Sequence, residues 1–190
     1  MVPSRYPYSL NLSPATGVSI VMLGGIILAL ISVHNEAVNG DTIAPHIRRL
    51  ANNPKVNTDI LFNRSLHFAA ILFSVTYIVM FNASFDIFFM LYTVFLVLHW
   101  MFYNNDCVLN CYEKKYFFKD YKCGDNNDNV YLVYITGRSW ARYVLRIFGV
   151  ITVISFFVVL WRQEYLAYLA KACISFIFTM YIYYISSQKA

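Results

Sequence analysis

Charge is scarce in this chain. Only 13% of its 190 residues are charged, about half the usual share of a soluble domain. So little ionic surface cannot cover a water-soluble globule of this size. Backbone breakers are scarce too, with 7 glycines and 5 prolines, which excludes collagen-like repeats and flexible low-complexity linkers. Disorder is excluded because it requires low hydrophobicity and high net charge. No G-x-S-x-G, H-E-x-x-H, Walker, H-x-x-H-H or C-x-x-C pattern occurs, so the chemistries those spacings support have no footing. A TVGYG-like ion filter and inverted repeats are also missing. Apolar residues dominate instead: 59% are hydrophobic and 18% aromatic. They fall in runs long enough for a bilayer, and together they predict an all-α polytopic membrane protein.

Crossing ~30 Å of hydrocarbon takes about 20 apolar residues in a helix. The first such run covers 17–34. The stretch from Leu61 to Tyr103 would make a helix of roughly 60 Å, twice the membrane, so it must fold back. Asn82-Ala83-Ser84-Phe85-Asp86 is the polar place to turn, giving spans 61–81 and 86–103. Two further runs, 143–161 and 165–185, are separated by Arg162-Gln163-Glu164. The expectation is about five spans, including two helical hairpins, in a single membrane domain covering 1–190. Polar loops fill 35–60 and 104–142, each shorter than the ~50 residues of an independent domain.

An odd number of spans puts both long loops and the C-terminus on one side. That side collects Arg48, Arg49, Lys55, Arg64, Lys114, Lys115, Lys119, Lys122, Arg138, Arg142, Arg146 and Lys189. The other side holds only Arg5 and Arg162, with Lys171 inside a span. Lys and Arg favour the cytoplasm, which predicts an outside or lumenal N-terminus and a cytoplasmic C-terminus. Glu36 and Asp41, just after the first span, run against this bias. The first span reads as a retained anchor, because its apolar core is too long for a signal peptide and no A-x-A-like site follows. Sequons at Asn11, Asn63 and Asn82 fall close to the bilayer or on the expected inner side.

Several residues can carry chemistry. Cys107 and Cys111 sit one helical turn apart, and with His99 and Cys123 they spell H-x7-C-x3-C-x11-C. Zinc takes four N or S ligands, usually as two close pairs; here the second pair does not close. Reduced thiols are the simpler expectation for a cytosolic loop. The reverse orientation favours a Cys107–Cys123 or Cys111–Cys123 disulfide. Cys173, within the fifth span, reads as a small buried apolar residue.

Residues 107–119 alternate apolar side chains with Lys114, Lys115 and Lys119, as an interfacial helix would. Arg138, Arg142 and Arg146 follow on one helical face, with Trp140 beside them. These residues form either a site for anionic lipid headgroups or an acidic partner, or a basic collar that sets depth. The collar is the simpler reading. Ionisable groups inside spans are functional candidates: Asp86, Glu164 and Lys171 lie toward one side, and a Lys171–Glu164 or Lys171–Asp86 pair reads as helix docking or the mouth of an ion path. His67 and His99 lie near the ends of neighbouring spans. Gly25 and Ala29, widened by Gly24, form a small-residue notch for another helix.

The stretch His99-Trp100, Asn104-Asn105-Asp106-Cys107-Val108-Leu109 and Glu113-Lys114-Lys115 resembles small multi-pass membrane proteins encoded by large DNA viruses. The resemblance spans about fifteen residues and implies a membrane of an infected cell or of a virion. It brings no catalytic residues. A non-enzymatic structural, scaffolding or assembly role in a membrane complex or homo-oligomer is therefore expected, with no nucleic-acid partner. The alternatives are a small oligomeric channel or transporter, and a membrane enzyme or metal/redox protein using the cysteine-rich loop.

Overall fold

In lipid, a backbone must satisfy its own N–H and C=O groups, and a helix does so within one segment. The computed structural model follows that rule. It describes residues 10, 12–43, 54–81, 83–103, 106–117, 120–125 and 130–187, and every regular element among them is helical. The helices are α1 (Pro14–Ile43), α2 (Pro54–Met80), α3 (Asp86–Phe102), α4 (Val108–Phe117), α5 (Val130–Thr136), α6 (Arg138–Arg162) and α7 (Tyr168–Ser187), with a 3-10 turn at Ala83–Phe85. Local sequence sets several of the boundaries. Pro14 occupies the first turn of α1, where its missing N–H costs nothing, and the Ser13 hydroxyl accepts the Thr16 amide at 3.1 Å. Gly137 takes a φ of 81°, the left-handed step that lets α6 start directly after α5.

Among the described residues, four helices are long and apolar enough to cross a membrane, over Pro14–Val38, Thr58–Met80, Ala83–Trp100 and Ser139–Arg162. The described apolar part of α7, Tyr168–Met180, is shorter. Helical structure also reaches into the segments expected as loops. α1 runs on to Ile43, α2 begins at Pro54, and α4 and α5 lie within 104–142. The reason is physical: hydropathy marks the part of a helix that meets hydrocarbon, not its polar ends.

α2 packs against α1, α4 and α6. Its approach to α1 is close because Gly25 has no side chain: a Cβ there would stand 2.6 Å from the Ser65 carbonyl and 2.8 Å from the Ala69 amide. Gly24 faces Leu72, and Ala29 is fully buried. The small-residue notch of α1 is thus filled by α2. α3 meets α2 through rings. Phe81 touches Phe85, Tyr77 stacks on Phe89 at 4.0 Å, and Phe73 meets Tyr92 edge-on at 5.2 Å. Phe156 of α6 stacks on Phe178 of α7 at 4.3 Å. These rings form the larger apolar core, and Ala29, Phe68, Leu132, Val133 and Ala141 form a smaller one.

The surface is reversed relative to a water-soluble protein. Leu23 and Ile27 of α1, Phe88 and Phe95 of α3, Val150 and Ile154 of α6, and Phe176 and Ile177 of α7 are exposed. Arg64, Asp86, Asp106, Glu113 and Lys114 are buried. A soluble monomer rarely exposes so many large apolar side chains. With lipid as the outer solvent, the distribution costs nothing.

Candidate functional site

Charged side chains buried between helices must be paired, because an isolated charge in such surroundings is prohibitively costly. The described residues hold three such clusters. In the first, Arg64 of α2 is fully buried. Its Nε and Nη2 donate to Glu113 Oε1 of α4, at 2.9 and 2.6 Å. Its Nη1 donates to the Ser32 hydroxyl of α1 at 3.0 Å and pairs with Glu36 Oε2 at 2.6 Å. The Tyr134 ring of α5 lies 5.6 Å from Arg64 Cζ, within cation–π range. Burial pushes the Tyr134 hydroxyl pKa above its ordinary value, with Glu36 adding to the rise. Asn35 donates to the Tyr134 carbonyl and Asn63 to the Leu109 carbonyl, each fastening a surrounding helix. One arginine therefore joins α1, α2 and α4 and carries the ring of α5.

The second cluster lies at the start of α3. Asp86 accepts from Tyr77 of α2 at 2.9 Å, from both Nε and Nη2 of Arg162, and from Gln163 Nε2. Gln163 Nε2 also donates to the Val159 carbonyl at 2.9 Å. A carboxylate at a helix N-terminus is favoured by the helix dipole, and here it also ties α3 to the end of α6.

The third cluster shapes the segment after α3. Asp106 accepts from Asn110 at 2.6 Å and from the Tyr121 hydroxyl at 2.8 Å, while Lys114 donates to Tyr121 at 3.2 Å. A Cys111–Cys123 disulfide holds residues 120–125 against α4. Burial raises the Cys107 pKa above the ordinary thiol value, with Asp106 adding to the rise.

Several sequence-based expectations are redistributed. Arg64, counted among the cations of the cytoplasmic side, is a buried ion-pair centre, and Arg162 is the partner of Asp86. Lys171 does not take Asp86; its Nζ donates to the Trp161 carbonyl at 3.0 Å. Glu164 has interactions of its own in the turn before α7. Of the suggested lipid- or partner-binding residues, Lys114 is buried and engaged with Tyr121, whereas Lys115 and Arg146 are exposed. Lys119 and the side chains of Arg138 and Arg142 lie outside the described residues, as do Asn11 and Asn82. The third sequon residue, Asn63, is buried. Among the proposed metal ligands, Cys111 and Cys123 are joined to each other and Cys107 is a free thiol. His99 is buried at the end of α3. The bonded pair is the second of the two disulfides that the reverse orientation favours, and the reduced-thiol expectation does not hold for these two residues. Cys173 is exposed on α7 rather than buried.

The role of Glu36, Arg64, Glu113 and Tyr134 went unread in the sequence. The available signal was the polar sequence Asn63-Arg64-Ser65-Leu66-His67, which makes the α2 span the least apolar of the four. Such residues in a crossing helix must face inward. No family model matches the chain, and no curated protein or solved structure matches it.

Proposed function

We propose that this chain is a non-enzymatic, multi-pass membrane scaffold, an assembly component of a membrane complex. It crosses the bilayer five times, with α7 as the fifth span and α2–α3 and α6–α7 as helical hairpins. The observation that carries the reading is the way its charges are used. Each buried charged cluster joins separate segments of the chain, and the surface left outside is apolar and aromatic. Interior ion pairs fix which helices pack together, and exposed rings offer contact area to lipid or to a neighbouring transmembrane helix. The exposed Lys115 and Arg146 belong to a basic collar able to meet anionic headgroups. The resemblance of residues 99–115 to viral membrane proteins favours a virus-modified membrane or a virion as the site of assembly.

Electrical recording from the purified protein in planar bilayers tests the scaffold against a channel. The scaffold gives no current, either as wild type or as Lys171→Met. A current altered by that substitution establishes the channel reading instead. Metal analysis bears on the remaining alternative, since stoichiometric zinc overturns a cofactor-free scaffold.

The excess of basic residues favours an outside N-terminus, with residues 104–142 in the cytoplasm. The Cys111–Cys123 disulfide favours the reverse, because disulfides persist in oxidising compartments. We adopt the first orientation, which rests on many residues. Protection of a C-terminal tag from protease in sealed, cytoplasm-side-out vesicles establishes the second.

A further inference from the structure

Charge does not balance around Arg64. One guanidinium faces two carboxylates, Glu36 and Glu113, so the three side chains sum to one negative charge when all are ionised. The site is enclosed: the Arg64 side chain is 0% exposed, Glu113 2% and Glu36 12%. Arg64 also uses only one oxygen of each carboxylate. The remaining oxygens, Glu36 Oε1 and Glu113 Oε2, are buried and have no hydrogen-bond partner among the described residues, and the same holds for the Tyr134 hydroxyl. Tyr134 is 3% exposed, and its ring centroid lies 5.6 Å from Arg64 Cζ. Two unpartnered carboxylate oxygens on one guanidinium, with the buried Tyr134 ring against it, are the donor chemistry of a small cation.

Among the described residues, the neighbouring groups do not neutralise this charge. On α1, Ser32 bonds Arg64 and Asn35 bonds the Tyr134 carbonyl. On α2, Asn63 donates to the Leu109 carbonyl, and His67 has its electrostatic neighbour in His99 of α3. On α4, Lys114 turns to Tyr121 and Asp106. On α6, Ala141 and Val144 pack nearby and are apolar. Among the described side chains, Arg64 is therefore the one cation at the cluster.

We propose that the Glu36–Arg64–Glu113–Tyr134 cluster is a binding site for one additional monovalent cation, a proton or a sodium ion. A proton taken from hydronium forms an O–H bond with one carboxylate oxygen and releases water. A sodium ion is held by the same oxygens without covalent change. Either brings the enclosed site to neutrality, and the folded chain then binds one more cation than the unfolded chain. Linkage fixes the sign: stability rises as proton or sodium activity rises.

The test is the thermal midpoint of the full-length protein in lipid nanodiscs, at constant ionic strength. One arm lowers the pH without sodium. The other replaces choline chloride by sodium chloride at mildly alkaline pH. The expected response is a rise of roughly 3–5 °C per tenfold increase in the free cation's activity. A rise in the first arm alone assigns a proton, and a rise in the second assigns sodium. Glu113→Gln and Glu36→Gln each remove one negative charge at nearly constant shape. Each is expected to flatten the dependence and to raise the midpoint in alkaline, sodium-free buffer. A wild-type midpoint indifferent to both cations overturns the proposal. So does a wild-type dependence that persists in both variants.

Discussion

Arg64 shows how much one side chain can organise. Its planar fork reaches Glu113 with two nitrogens while a third meets Ser32 and Glu36, which the point charge of a lysine cannot reproduce. Replacing it by methionine leaves two buried carboxylates uncompensated. The expected loss is about 3–5 kcal/mol of folding stability, with Arg64→Lys intermediate, measured by reversible unfolding in mixed micelles. Arg146→Ala, at an exposed position, is expected to change stability by no more than about 0.5 kcal/mol. Cys107 gives a pH-dependent readout. Its folded thiol stays protonated to higher pH than an unfolded one, because burial disfavours the thiolate. In a Cys173→Ser background, maleimide labelling of the folded protein is expected to lag behind that of the unfolded chain at neutral pH. The gap narrows as pH rises through the folded pKa. Equal rates at neutral pH contradict the partly buried placement of Cys107.

At the scale of elements, α1 and α2 are held by absence of bulk, and α2 and α3 by rings. A Cβ at Gly25 meets the backbone of α2 at 2.6 Å, whereas one at Gly149 of α6 meets nothing within 4 Å. Gly25→Ala is therefore expected to cost about 1–3 kcal/mol, and Gly149→Ala to gain about 0.5–1 kcal/mol from helix propensity. The same unfolding measurement compares them, and equal effects contradict the close α1–α2 contact. The Cys111–Cys123 link closes a short loop over a sequence separation of 12. Its removal in Cys123→Ser is expected to lower stability by about 2–4 kcal/mol and to speed tryptic cleavage at Lys122. The elements were legible in sequence where hydrocarbon is the only solvent: the α1, α2, α3 and α6 runs follow directly from apolar length. The polar extensions of α1 and α2, and the internal role of α4, were not. A helix end in the interface carries no apolar signature, and Glu36, Arg64 and Glu113 lie far apart in the chain. Their meeting is a consequence of tertiary packing. Pattern pointed to Gly25 and Ala29, but only the fold shows that α2 fills the notch.

For the whole molecule, the account rests on an inversion of solvent. Apolar side chains face outward along α1, α3, α6 and α7, and paired charges lie between the helices. Ion pairs that would be weak at a wet surface become determinants of which helices meet, because breaking one strands a charge in a low-dielectric interior. Lipid-attached carbene photolabelling, mapped residue by residue in the reconstituted protein, tests this inversion most directly. Labels are expected on Leu23, Phe88, Phe95, Ile154 and Phe176, with Ser32, Arg64, Phe89 and Phe156 spared. Labelling spread evenly over both sets, or confined to the second, would contradict it.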